Sequence, residues 1–338
     1  MKKVAVLMSG GVDSTFAAII LKDMGFEVTG VTLNLTGKVP KRAREMAQLL
    51  GIKHTVLDLK AEFYEKVIST FVNWYLSGIT PNPCSLCNRF IKFGIAFERI
   101  LAELNVDFVA TGHYLGKTEY KGYPVIKEGK DKSKEQSYFL ALVKSEALPR
   151  LLFPLEDREK REAIETVYSR TGVKYDSRGS QEVCFLEGKS VGAFIRETMK
   201  KESIKRGDII YMGKRVGKHS GIFEYTIGQR RFGLSMGKPL YVIEIDAKNN
   251  TVIIGEEELL YKEDIKIGNL NLFVPIQLWE KPTGKIRYRS EKVEIVDIKR
   301  EGDLYTIKFQ KAVRAPTPGQ VLAIYEGEYL IGGGIILR

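Results

Sequence analysis

The stretch SGGVDS, Ser9 to Ser14, sits where an apolar run ends and a helical pattern begins. It limits the possible folds more than any other part of the chain. Lys3 to Met8 reads as a buried strand, and Asp13 to Met24 as a helix closed by Gly25. Glu27 to Leu33 and His54 to Leu57 read as strands, with a helix over Lys41 to Leu50, closed by Gly51, between them. Ala61 to Leu76 and Asn88 to Leu104 have helical spacing, and Phe108 to Thr111 reads as a fourth strand. Short strands alternating with helices imply βαβ units and a parallel sheet. In such sheets ligands bind beyond the carboxyl ends of the strands.

SGGVDS has what a polyanion site needs at that end. Two glycines let the backbone approach phosphate closely, and exposed N–H groups at a helix N-terminus supply positive potential. The hydroxyls of Ser9 and Ser14 add donors. No Gly-Lys-Ser/Thr follows, so the pattern is not a Walker loop. The competing reading is a tight strand–helix turn capped by Asp13.

From about residue 203 the texture changes. DIIYM, YVIEID, TVIIG, KVEIVDI, LYTIKF and VLAIY alternate with Gly-, Asn- and Lys-rich turns, which reads as small antiparallel sheets or barrels. GNLNLFVP, from Gly268, reads as the start of a third unit. The length of 338 residues accommodates this division: 1–202, 203–262 and 263–338. No apolar run reaches the roughly 18 residues that span a bilayer, so no membrane partner is expected. The apolar run after Met1 is too short for a signal peptide and breaks at Gly10-Gly11. Three cysteines are too few for a disulfide scaffold, and a cytoplasmic protein is expected. The net charge of +11 fits a nucleic-acid partner, although lysine-rich usage for solubility or heat stability gives the same balance.

The cysteines raise a second question. Cys84 and Cys87 form one C-x-x-C in TPNPCSLCNRFIKFG, Thr80 to Gly94, and Cys184 lies far downstream. Further segments follow in order: ATGHY (Ala110 to Tyr114), KEQSYFL (Lys134 to Leu140), SQEVCF (Ser180 to Phe185), VGKHSGIFEYTIGQRRFGL (Val216 to Leu234), IRYRS (Ile286 to Ser290) and TPGQ (Thr317 to Gln320). SGGVDS resembles the signature of the PP-loop ATP pyrophosphatases. The full set, along the whole chain, resembles the bacterial tRNA-specific 2-thiouridylase family.

That resemblance implies a PP-loop domain of the adenine nucleotide alpha hydrolase type, then a small β domain and a C-terminal β-barrel. It implies ATP and Mg²⁺ as cofactors and the anticodon arm of tRNA as partner. The implied reaction is ATP-dependent 2-thiolation of the wobble uridine in tRNAs for Lys, Glu and Gln. Residues Leu7, Met8, Ser9, Gly10, Gly11, Val12, Asp13 and Ser14 match the ATP loop, and Leu33 and Gly112 match further nucleotide contacts. Asn82, Pro83 and Cys84 match the segment that meets the target base. His113, the run Lys134, Glu135 and Gln136, and Arg287, Tyr288 and Gln320 match tRNA contacts. Plainer readings stand beside these: His113 as a buried hydrogen-bonded histidine, His219 as the shaper of its own turn, and Arg287 with Tyr288 as a cross-strand pair. Thiolation at another tRNA base, or ATP-gated RNA binding without sulfur transfer, remains the competing function.

Two departures from the family pattern bear on the chemistry. Only NLTGKVP separates Leu33 from the next helix, where many relatives carry a longer acidic insertion. Cys84 stands where many relatives carry Asp. Those relatives imply a sulfur route through Cys87 and Cys184: a persulfide forms on the distal cysteine, and the pair then closes as a disulfide. A sulfur donor, as persulfide carrier or free sulfide, is implied. With Cys84 present, the three cysteines instead suit a [4Fe–4S] cluster with one open iron, the route the sequence favours. A zinc site of the three cysteines and His113 is the alternative metal reading.

Overall fold

The computed structural model describes residues 1–176, 183–199, 204–234 and 237–338. Ser180 to Glu182 of the SQEVCF segment, and the 202/203 boundary, lie outside the described residues.

Five parallel strands form the first sheet: β1 (Lys3–Leu7), β2 (Glu27–Asn34), β3 (Lys53–Asp58), β4 (Phe108–Ala110) and β7 (Leu151–Leu152), in the order β3-β2-β1-β4-β7. Successive side chains on β1 point to opposite faces, and both faces are covered. Val4 and Val6 pack with Phe16 and Ala17 of α1 (Val12–Asp23) and with Ala163 and Val167 of the helix Lys160–Thr171. Ala5 packs on the other side among Phe63, Val67 and Phe71 of helix 60–76 and Ile91 and Ile100 of helix 83–103. The chain runs outward from β1 to β2 and β3, then crosses back to β4 on the far side. That reversal opens a crevice at the carboxyl ends of β1 and β4, where SGGVDS and the ATGHY segment meet.

The hairpin of β5 (Leu115–Tyr120) and β6 (Tyr123–Glu128) leaves this domain and pairs with the C-terminal sheet through its last strand, β17 (Tyr329–Ile336). The strands β12 (Tyr261–Leu272), β13 (Thr283–Lys285), β14 (Val293–Glu301), β15 (Leu304–Arg314), β16 (Val321–Glu326) and β17 (Tyr329–Ile336) close on themselves, because β12 pairs with both β15 and β17. Between the two lies a four-stranded sheet of β8 (Gly207–Tyr211), β9 (Lys214–His219), β10 (Tyr241–Asp246) and β11 (Thr251–Gly255). All six β-rich segments singled out from the sequence are strands. Two details differ from expectation. The pair β8–β11 is parallel, since the connection between them is long enough to cross over. The strand that holds Gly268 begins earlier, at Tyr261, because exposed Lys262, Glu263 and Asp264 hide the onset of a strand whose Ile265 and Ile267 are buried.

The first domain and the barrel share one core. Phe63, Ile91 and Tyr138 belong to the same apolar cluster as Ile286, Leu322 and Ile324. Tyr138 Oη donates to the Val321 carbonyl at 2.9 Å, and Asn271 Nδ2 donates to the carbonyls of Ala141 and Val143 at 3.1 and 2.8 Å. No helix of the described residues is long and apolar enough to cross a membrane.

Candidate functional site

The glycine-rich turn is shaped by its surroundings. Gly10 has φ +78°, and a Cβ there would lie 2.6 Å from the Ala43 nitrogen of α2 (Lys41–Leu49). Only glycine fits a left-handed conformation pressed against another backbone. Gly11 is the N-cap of α1 and makes no side-chain cap bond. Asp13, expected as a cap in the plainer reading, is engaged elsewhere. Its carboxylate accepts from Tyr114 Oη at 2.8 Å and from Lys160 Nζ at 2.6 and 2.7 Å. The first N–H groups of α1 therefore keep their anion-binding capacity. Gly112 closes the turn from the β4 side, where a Cβ would sit 2.6 Å from the carbonyl of Asp13 and 2.7 Å from the Ser14 nitrogen.

A cavity of about 270 Å³ opens over this turn, lined by Leu7, Met8, Ser9, Asp13, Ser14 and Gly112, with Leu33 and Leu35 on one wall. A second cavity, of about 670 Å³, continues from it. The two share Ser9, Asp13, Leu35, Lys92, His113 and Gln136. All three cysteines of the chain line the second cavity.

Local sequence explains how the cysteines arrive there. Asn82 caps helix 83–103, its Oδ1 accepting from the Ser85 nitrogen at 3.1 Å, and Pro83 takes the first helical position. Over Cys87–Ile95 the helix widens to i→i+5 bonding, a form found mostly at functional sites, and it breaks at Gly94. Cys87 is buried, whereas Cys84 and Cys184 are exposed to the cavity. Burial pushes the Cys87 thiol up to about 12, with Lys92 pulling the other way. The thiols of Cys84 and Cys184 are also raised by their protein surroundings, and again Lys92 opposes this.

All three thiols face one cavity, and their donor type is the one a [4Fe–4S] cluster takes. As they stand, the described residues include no group of three His, Cys, Asp or Glu able to hold a metal ion. Neither the three thiols of the cluster nor the zinc set with His113 is drawn together in this arrangement. His113 Nδ1 is hydrogen-bonded to Thr111 Oγ1 at 2.8 Å, its ring tilts against Phe93, and burial followed by Lys92 keeps it neutral, well below its ordinary pKa of 6.5.

The residues expected to meet tRNA divide into two groups. Pro83, Cys84, His113, Lys134, Gln136 and Tyr288 line the cavity, and Tyr288 is tilted against Phe139 with 4.7 Å between ring centres. The others turn into the protein. Asn82 is spent on its helix cap, and Glu135 is only 5% exposed, accepting from the Ser137 nitrogen. The Arg287 guanidinium donates to the carbonyls of Ile227 and Ala315, both at 3.0 Å, and to Thr317 Oγ1. Gln320 Nε2 donates to the carbonyls of Thr80 and Pro81. His219 is buried against Tyr225 and bonded to the Asn250 carbonyl at 3.0 Å, as the loop-shaping reading requires. Sequence reasoning missed Lys92, Lys160, Phe139 and Arg289, which also line the cavity. Only Lys92 carried a signal, one cation in an otherwise apolar FIKFG.

A glycine-rich turn at the switch point of a parallel sheet, opening onto a thiol-lined cavity, defines a PP-loop protein with cysteines at its centre. The family model described as the tRNA methyl transferase HUP domain matches residues 2–188. The matching PRC-barrel domain model covers 192–256, and the aminomethyltransferase beta-barrel domain model covers 262–336. The chain is 45% identical to the tRNA-specific 2-thiouridylase MnmA of Aquifex aeolicus, over 99% of this chain and 98% of that one. It is 42% identical to the protein of that name from Persephonella marina, over 99% and 100% of the two chains. Identity to MnmA 2 of a Thermoanaerobacter species is 41%, over 99% and 98%. The chain belongs to the tRNA-specific 2-thiouridylase family.

Proposed function

We propose that this protein thiolates C2 of the wobble uridine in tRNAs for Lys, Glu and Gln, using ATP. The observation that carries the proposal is the continuity of the two cavities, one over the glycine-rich turn and one lined by all three thiols. The family descriptions speak of methyl transfer, but a cavity that gathers every cysteine of the chain favours sulfur.

The chemistry runs in two displacements. The uridine O2 attacks the α-phosphorus of ATP, and pyrophosphate leaves. Sulfur then attacks C2, and the former O2 departs within AMP. A carbonyl oxygen is a poor leaving group and AMP a good one, which is why ATP is spent. The N-terminus of α1 and the hydroxyls of Ser9 and Ser14 bind the phosphates. Mg²⁺, when bound with the nucleotide, would supply charge that neutralises the pyrophosphate. Residues 1–202 carry this chemistry, while 203–262 and 263–338 help to grip tRNA, whose phosphates are drawn by the +11 charge.

The target base must leave the anticodon stack to reach the cavity. Pro83, Cys84 and His113 meet it there, and Tyr288 with Phe139 offers an aromatic surface for stacking. Lys134 and Gln136 meet the tRNA beside them. Asn82, Glu135, Arg287 and Gln320 serve the same contacts indirectly, by holding the segments that make them.

Two sulfur routes rest on the thiols. The thiol of Cys84 in place of Asp favours the three-cysteine cluster, which when bound would supply an open iron for hydrosulfide. In the other route the terminal sulfur of a Cys184 persulfide attacks C2. Cys87 then takes the Cys184 sulfur as a disulfide, leaving the terminal sulfur on the base, and an external dithiol restores both thiols. Nucleoside mass spectrometry on tRNA from a deletion strain tests the function. Loss of wobble 2-thiouridine, restored by the gene, is expected; loss of a thiolated base elsewhere, or no loss, overturns it.

A further inference from the structure

We infer that Lys92 is a catalytic residue whose ammonium binds the α-phosphate of the nucleotide and carries it through both displacements. The inference rests on the adenylation reading above and assigns a residue to it.

Lys92 is one of six residues that line both cavities, and the only cation among them. It follows Cys87 by five residues on the helix stretch widened to i→i+5 bonding, so both face the cavity side by side. Its ammonium is near enough to perturb all three thiols and His113. It is half-buried, yet no carboxylate or carbonyl among the described residues takes its hydrogen bonds. Lys134, also half-buried and without a side-chain bond among the described residues, lines only the second cavity, and two other neighbouring lysines are engaged. Lys160 is bound to Asp13, and Lys117 donates to the carbonyls of Leu148, Pro149 and Leu151. A partly desolvated ammonium without a partner is costly unless an anion completes it.

The reaction supplies that anion at this junction. Phosphates lie over the glycine-rich turn on one side, and C2 lies near the thiols on the other. The α-phosphoryl group must stand between them, since it is bonded first to pyrophosphate and then to the uridine oxygen. It is the one charged group present from the first attack to the release of AMP. A fixed ammonium there stabilises charge on the five-coordinate phosphorus, and later on AMP as its bond to C2 breaks. A lysine held only for tRNA backbone phosphates would instead act on tRNA affinity.

The test uses the full chain with Lys92→Met and Lys92→Arg, unmodified tRNA, ATP and sulfide. Single-turnover AMP formation at saturating ATP and tRNA is the main readout, with tRNA affinity measured separately. Lys92→Met is expected to slow AMP formation roughly 100-fold or more while tRNA affinity stays within about 3-fold, and Lys92→Arg to recover part of the rate. A Lys92→Met rate within about 3-fold of wild type, or a defect confined to tRNA affinity, overturns the inference and leaves the adenylation reading standing. If the wild type itself forms no tRNA-dependent AMP, both fall together.

Discussion

Gln320 Nε2 donates to the carbonyl of Thr80 at 3.0 Å and to that of Pro81 at 3.2 Å. A barrel residue thus grips the backbone that leads into Asn82, Pro83 and Cys84. The Thr80 nitrogen returns a bond to the Pro318 carbonyl at 2.9 Å, so the grip is reciprocal. The barrel is part of the scaffold of the site, which explains why the two domains share a core.

Replacing Gln320 separates donation from bulk. Gln320→Ala removes two bonds worth about 1 kcal/mol each, and thiolation efficiency should fall roughly 5- to 30-fold with the KM for ATP unchanged. Gln320→Glu sets a carboxylate against two carbonyls and should be worse than alanine. Steady-state kinetics that found glutamate equal to wild type would contradict this scaffold role.

Gly112→Ala tests the closure of the glycine-rich turn. The new Cβ would meet the backbone of Asp13 and Ser14, which cannot rotate away as a side chain can. Overpacking of this kind costs about 1–3 kcal/mol. Calorimetry should show ATP affinity reduced about tenfold or more, and unaltered ATP binding would argue against the packing described.

Glu135 gives a pH signature. Burial raises its carboxyl above the ordinary 4.5. A carboxyl raised on folding adds stability that is complete below its unfolded value and is lost as pH rises through the folded one. Glu135→Gln keeps an oxygen for the Ser137 nitrogen and removes the charge. It should therefore melt above wild type at pH 7, with the gap narrowing as pH falls toward 4.5 and closed below it. Melting curves that stay parallel across this range would show that Glu135 is not buried in this way.

The sulfur route divides at Cys84. Anaerobic purification with iron analysis and an absorption spectrum should show bound iron that is lost in Cys84→Ser. Cys87→Ser should abolish thiolation by either route. Iron-free protein with full activity from a persulfide donor would leave the cysteine pair as the carrier.

Much of this was legible in the sequence because it depends on local pattern. The strands and helices of the first domain follow apolar periodicity, although the helix read from Asn88 begins at Pro83, behind the Asn82 cap. The six β-rich segments stood out as short apolar runs between Gly-, Asn- and Lys-rich turns. What the sequence hid is long-range. Nothing local tells that Arg287 and Gln320 point inward to hold other segments, since arginine and glutamine look alike whether they meet RNA or a backbone carbonyl. The pairing of β6 with β17 and the parallel β8–β11 pair depend on crossovers that carry no periodic signal. Lys92 stands in a run whose spacing reads as a plain amphipathic helix, and only the widened turn brings it beside Cys87.

The most direct test of the central claim follows the oxygen. Unmodified tRNA carrying oxygen-18 at O2 of the wobble uridine is incubated with the protein, ATP and a sulfur donor, and AMP is analysed by mass spectrometry. The account predicts that the label appears in AMP, one atom for each 2-thiouridine formed. AMP without the label, or thiolation without AMP, would contradict it.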